Sequence, residues 1–126
     1  METDGFVTSG YGKGKEFLSK DFYKLKFKEK LGFKPYPGTL NIIIPEKHLK
    51  DINSIKKNCK NKINGENNFG SVKYIEATLN NKIKGAIVFP EKTTHDENYL
   101  EFISQEGLRE KLYLKDDDKV NLIIGD

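Results

Sequence analysis

The 126-residue sequence has no tryptophan, one methionine, one cysteine, two histidines and four prolines. A lone cysteine, Cys59, rules out an intrachain disulfide and points to a reducing compartment. His48 and His95 have no cysteine or carboxylate at metal-ligand spacing, so no zinc pattern is present and each is expected at the surface or in a loop. Long apolar runs are absent as well. The longest, Ala86-Ile87-Val88-Phe89, falls far short of the ~20 residues a bilayer-crossing helix needs. Met1-Glu2-Thr3-Asp4 is acidic and leads into no apolar stretch, so a signal peptide is not expected. A cytoplasmic monomer without a membrane partner is the expectation. Neither sign of charge dominates: 22 basic against 19 acidic residues give a net charge of +3, too mild to force a nucleic-acid partner but suited to a polyanionic small molecule. With 36% hydrophobic and 33% charged residues, the chain suits one soluble domain over residues 1–126 with a modest core.

The pattern is mostly that of strands. Gly5 to Ser9 reads as a short strand. From about Lys20 to Leu31, Tyr23, Phe27 and Leu31 recur every four residues, which predicts a helix capped by Ser19 and stopped at Gly32. Tyr23, Leu25 and Phe27 also alternate, so a strand competes there. Pro35-Tyr36-Pro37-Gly38 predicts a rigid turn that delivers Thr39 to a strand over Thr39–Ile44, closed by Pro45. Residues 46–68 are rich in Lys and Asn and poor in pattern, with Ile52, Ile55 and Ile63 as anchors. They are expected to be the least ordered part. Ser71–Leu79 alternates with one slip, Asn80-Asn81 suits a tight hairpin turn, and Ile83–Phe89 returns until Pro90. Tyr99–Ser104 and Val120–Ile124 complete about six strands, and Gly107–Leu112 reads as one or two helical turns. This spacing predicts a mainly β fold, a small closed or partly closed barrel with short helices, rather than a parallel α/β sheet.

Two segments carry chemical interest. Gly10-Tyr11-Gly12-Lys13-Gly14-Lys15 sets glycines at alternate positions with lysines between and after them. Such a loop can turn backbone N–H groups onto phosphates while Lys13 and Lys15 supply charge. It matches neither the P-loop nor the dinucleotide-binding glycine spacing, and an ordinary flexible turn is the competing reading. Thr39-Leu40-Asn41 opens a strand, so its hydroxyl and amide oxygen share a face and can aim two neutral oxygens at one hard cation, with nucleotide phosphates and waters completing the shell. Glu101, alone on an apolar strand, is either paired at an edge or placed to accept a ligand hydrogen bond or a proton from an attacking hydroxyl. Arg109 is either a helix-end cation or a phosphate contact. The Asp116-Asp117-Asp118 run reads as a solvated turn and Cys59 as unreactive. A rival reading is a small basic barrel that stacks single-stranded nucleic acid on exposed Phe and Tyr, and another is a nucleotide-binding module without catalysis.

Taken in order, Gly5-Phe6-Val7-Thr8-Ser9-Gly10-Tyr11-Gly12-Lys13-Gly14, Leu31-Gly32-Phe33-Lys34-Pro35-Tyr36-Pro37-Gly38-Thr39-Leu40-Asn41, Gly85-Ala86-Ile87-Val88-Phe89-Pro90 with Thr93 and His95, Leu100-Glu101-Phe102-Ile103 and Leu108-Arg109 resemble the archaeal CTP-dependent riboflavin kinases. The resemblance implies a six-stranded cradle-loop β-barrel that transfers the γ-phosphate of CTP to the 5′-hydroxyl of riboflavin, giving FMN and CDP. It implies that Gly10, Tyr11, Gly12, Lys13, Gly14 and Lys15 hold the nucleotide, with Glu106, Gly107, Leu108 and Arg109 completing its pocket. It further implies Mg²⁺ on Thr39 and Asn41, and flavin contacts from Thr93 and Glu101, the latter also the candidate base. No nucleic-acid partner is implied. Two departures stand out. Ser104-Gln105 replaces the family's usual Ala-Pro, which puts the contacts of Glu106 and Gly107 in question. Asp117 replaces the glycine of an Asp-Gly-Asp turn, which is expected to alter only that turn.

Overall fold

The computed structural model describes residues 1–9, 20–66, 69–91 and 98–125. Its strands are β1 (Glu2–Thr8), β2 (Leu40–Ile43), β3 (Lys62–Ile63), β4 (Val72–Leu79), β5 (Ile83–Pro90), β6 (Tyr99–Ile103) and β7 (Lys119–Ile124). The helices are α1 (Asp21–Leu31), α2 (Leu49–Asn58), preceded by a 3₁₀ turn at Glu46–His48, and α3 (Leu108–Lys111). Antiparallel pairing runs β4-β5-β6-β2-β1-β7, and Ala77–Leu79 of β4 pairs back onto β7. That last ladder closes a six-stranded barrel, as the strand count predicts. β3 attaches to the opposite end of the same β4 edge, at Lys73 and Val72.

Closure leaves each strand with one face in and one face out. Val7, Leu40, Ile42, Leu79, Ile87, Leu100, Phe102 and Leu122 are among the side chains that fill the interior. On the outside, Tyr23 and Phe27 of α1 cover Val72, Tyr74, Ala86, Val88 and Ile103. The two clusters account for the slip in β4. The register with β5 runs unbroken from Val72↔Pro90 to Leu79↔Ile83, so Val72 and Tyr74 point outward under α1 while Ala77 and Leu79 point inward. They explain too why β5 buries four consecutive residues, Gly85 to Val88. Gly85 is required by close approach: a Cβ there would overlap the Ile103 carbonyl oxygen and come within 2.6 Å of Phe102 Cζ.

The helical reading of residues 20–31 holds, and Leu25, which made a strand competitive, is exposed. Gly32 ends α1 at φ 81° with its N–H on the Lys28 carbonyl, a left-handed cap that glycine adopts without steric cost. The capping residue is Lys20 rather than Ser19; Ser19 lies outside the described residues. The expectation for residues 46–68 needs correction. They form the 3₁₀ turn, α2 and β3, because Leu49, Ile52 and Ile55 fall on one helical face and Ile52 and Ile55 join the barrel core. Ile63 is buried in the outer cluster. Asn80 and Asn81 make the predicted hairpin turn with φ of 52° and 56°. Asn80 also exchanges two 2.8 Å hydrogen bonds with the Asn121 backbone. α2 follows β2 at one rim of the barrel, and α3 follows β6 at the other, where β1 ends and β2 begins.

Candidate active site

A cleft of about 410 Å³ opens at the α3 rim. Three pieces of chain build its walls: the end of β1 (Thr8, Ser9), the turn into β2 (Tyr36 to Asn41), and the segment from β6 into α3 (Ser104, Glu106 to Glu110). The turn Pro35–Gly38 brings Thr39 to this rim as the prolines predict, and Gly38 sits at φ 138°.

Across the sheet, Thr8 pairs with Asn41 and Asn41 pairs with Glu101, so the three side chains form one row on the outer face of the barrel. Thr39 Oγ1 lies 3.5 Å from Asn41 Oδ1 and 3.4 Å from Glu101 Oε1, and Asn41 Nδ2 is 3.5 Å from the Thr39 carbonyl oxygen. These are loose contacts, at the outer limit of hydrogen bonding. They leave two neutral oxygens on the cleft lining with the Glu101 carboxylate beside Thr39. Glu101 is 6% exposed. It lies on the outer face, opposite to Leu100 and Phe102 of the same strand. Among the described residues, no three His, Cys, Asp or Glu side chains group to hold a metal. A cation here would rest on the hydroxyl and the amide, a donor set that suits a hard oxygen-seeking ion.

The opposite wall is held by side chains of α3 and the turns around it. Ser104, 4% exposed, donates its hydroxyl to the Glu106 carbonyl at 2.7 Å and accepts the Glu106 N–H at 3.3 Å, while its own carbonyl accepts the Tyr36 N–H at 2.8 Å. The Ser104-Gln105 departure thus keeps a tight turn through a side-chain bond, and places Glu106 and Gly107 on the cleft wall. The Tyr36 ring lies on Gly107 so closely that a Cβ there would come within 2.9 Å of Tyr36 Cζ. Lys111 pairs with Glu106. Arg109 donates to the Thr8 carbonyl at 3.0 Å and to Asp116 Oδ1 at 2.5 Å.

The family model CTP-dep_RFKase, described as domain of unknown function DUF120, matches residues 7–124. The riboflavin kinase of Methanobrevibacter smithii is 57% identical over 122 residues, 97% of this chain and 98% of that protein. That of Methanothermobacter thermautotrophicus is 42% identical over 118 residues, 94% of both chains, and that of Methanosphaera stadtmanae 43% over 125 residues, 95% of both chains. The chain belongs to the CTP-dependent riboflavin kinase family. Its relatives are phosphotransferases by name. On this riboflavin kinase family chain, Thr39, Asn41 and Glu101 meet, and Glu106, Gly107, Leu108 and Arg109 line the adjoining cleft. Gly10 to Lys15, Thr93 and His95 lie outside the described residues; Ser9, which precedes Gly10, lines the cleft with Asn41. Tyr36, Ser9 and Ser104 were not singled out as cleft residues by the sequence. Only the punctuation around Tyr36 and the departure at Ser104 pointed near them. Asp116 lies in an exposed turn, as the sequence suggests, and its carboxylate also accepts hydrogen bonds from both Arg109 and Ser9.

Proposed function

We propose that the protein is a CTP-dependent riboflavin kinase, transferring the γ-phosphate of CTP to the 5′-hydroxyl of riboflavin to give FMN and CDP with Mg²⁺ assistance. The observation that carries this reading is the meeting of Thr39, Asn41 and Glu101 oxygens at the end of a cleft walled by Ser9 and the Glu106–Arg109 segment. Family membership supports the reaction and the choice of CTP.

In phosphoryl transfer the protein mainly positions reactants and stabilises charge. Thr39 Oγ1 and Asn41 Oδ1 would hold Mg²⁺, which when bound there neutralises charge on the phosphate oxygens. Residues Gly10 to Lys15 would offer backbone N–H groups and lysine charge to the phosphates. Ser104 fixes the turn that shapes the nucleotide pocket, and Tyr36 closes its side against Gly107. Glu101, beside Thr39 on the outer face, would orient the flavin hydroxyl with Thr93 or accept its proton as the oxygen–phosphorus bond forms and CDP departs. We further read residues 1–126 as one cytoplasmic, monomeric domain; no helix of the described residues is long and apolar enough to cross a membrane.

The test is direct. Purified protein, riboflavin and Mg²⁺ are incubated with each of the four nucleoside triphosphates, and FMN is followed by chromatography. FMN formed with CTP and not with ATP supports the proposal. No FMN with any triphosphate overturns it.

A further inference from the structure

We infer that Asp116 is a positioning residue for the nucleotide: it locks the Arg109 guanidinium and the last residues of β1 into one wall of the cleft. The inference rests on the kinase reading above and extends it to a residue outside the cleft lining. Asp116 Oδ1 accepts from Arg109 Nη2 at 2.5 Å, and the Ser9 hydroxyl reaches Oδ1 at 3.1 Å and Oδ2 at 2.8 Å. The same Arg109 nitrogen donates to the Thr8 carbonyl at 3.0 Å. The backbone completes the staple, with Val7 N–H on the Asp118 carbonyl at 2.8 Å and Asp117 N–H on the Val7 carbonyl at 2.7 Å. Val7 and Ser9 are therefore tied to this acidic turn, and Thr8 between them to Arg109, just before the chain enters Gly10.

An ion pair this exposed adds little to stability, since water screens it and ordering long side chains opposes it. Its effect is geometric. A guanidinium with a carboxylate on one nitrogen is restricted in orientation, and Arg109 lines the cleft wall while so held. Without Asp116, Arg109 is free to swing and Ser9 loses its acceptor, so both the cationic wall and the entry to residues 10–15 lose their fixed placement. The proposed flavin contact Glu101 lies on β6, which β2 separates from β1 and its staple.

The experiment compares wild type, Asp116→Ala and Asp116→Asn in steady-state FMN formation with each substrate varied, and in calorimetric titration with Mg·CTP. The expected result is an increase of about tenfold in the CTP KM and Kd for Asp116→Ala, a smaller increase for Asp116→Asn, and a riboflavin KM within about twofold of wild type. A merely structural role would raise the KM of both substrates by the same factor, and that outcome overturns the inference. So does an unchanged CTP KM in both variants. Wild-type protein that makes no FMN from CTP overturns the kinase reading itself, whereas active wild type with indifferent variants overturns only the role of Asp116.

Discussion

Asn41 and Glu101 stand directly opposite one another across β2 and β6, and both leave the barrel on its outer side. The Thr39 hydroxyl reaches toward both. The amide and the carboxylate are thus fixed by strand register, and the hydroxyl sits one residue before β2 at the end of the Pro35–Gly38 turn, a placement that suits transfer chemistry.

Asn41→Ala is expected to abolish turnover, a fall of at least about a hundredfold in kcat, because one of two neutral oxygens offered to the cation is lost. Far-ultraviolet circular dichroism should remain that of wild type, since Asn41 is only partly buried. Near-normal FMN formation would remove the metal assignment.

Glu101→Gln separates two roles for the carboxylate. Loss of kcat with little change in riboflavin KM marks a base, and a raised riboflavin KM with kcat retained marks a flavin contact. Steady-state kinetics with riboflavin as the varied substrate distinguishes them.

Gly85→Ala should destabilise the fold by about 1–3 kcal/mol or more, because the added methyl meets the backbone oxygen of Ile103 and the Phe102 ring rather than a yielding side chain. Thermal denaturation reads the effect. An unchanged melting temperature would mean that β5 and β6 are further apart than described.

Asp117→Gly should stabilise by roughly 0.5–1 kcal/mol. Asp117 has φ 74°, a left-handed conformation that costs an L residue energy and glycine none, offset in part by glycine's greater freedom when unfolded. Chemical denaturation of the two proteins measures the difference.

Asp116 should make a small, pH-dependent contribution to stability. Hydrogen bonds from Arg109 and Ser9 hold its carboxyl below the usual carboxylate value, so the folded state binds fewer protons than the unfolded chain. The contribution is full above the ordinary carboxylate range and disappears as pH falls through the lowered value. The melting-temperature gap between wild type and Asp116→Asn should therefore narrow as pH is lowered from ~6 to ~3. Asp4, lowered chiefly by Asn121 and also by Lys119, retains its own share in both proteins.

Much of this is legible in the sequence. The alternation in β4, the asparagine turn and the glycine after α1 are local signals, and local physics determines them. So is the delivery of Thr39 by Pro35–Gly38. Residues 46–58 were harder because three apolar side chains are spread among lysines and asparagines, and that helix gains its order from packing on the barrel. The outer placement of Glu101 was hidden for a related reason. Leu100 to Ile103 are all buried, on two faces, because α1 covers part of the sheet exterior. No window along the chain reveals that cover. The Asp116 staple joins residues 107 positions apart, beyond any local pattern.

Along β6 the side chains take turns: Leu100 and Phe102 enter the barrel while Glu101 faces the cleft side. Durability and chemistry are therefore interleaved at single-residue intervals on one ribbon. Sliding that ribbon by one position would thrust the carboxylate among hydrocarbons and expel a phenyl ring in its place. A misregistered molecule is thereby disarmed and unstable at once, so no long-lived population of compact but wrongly threaded enzyme should accumulate.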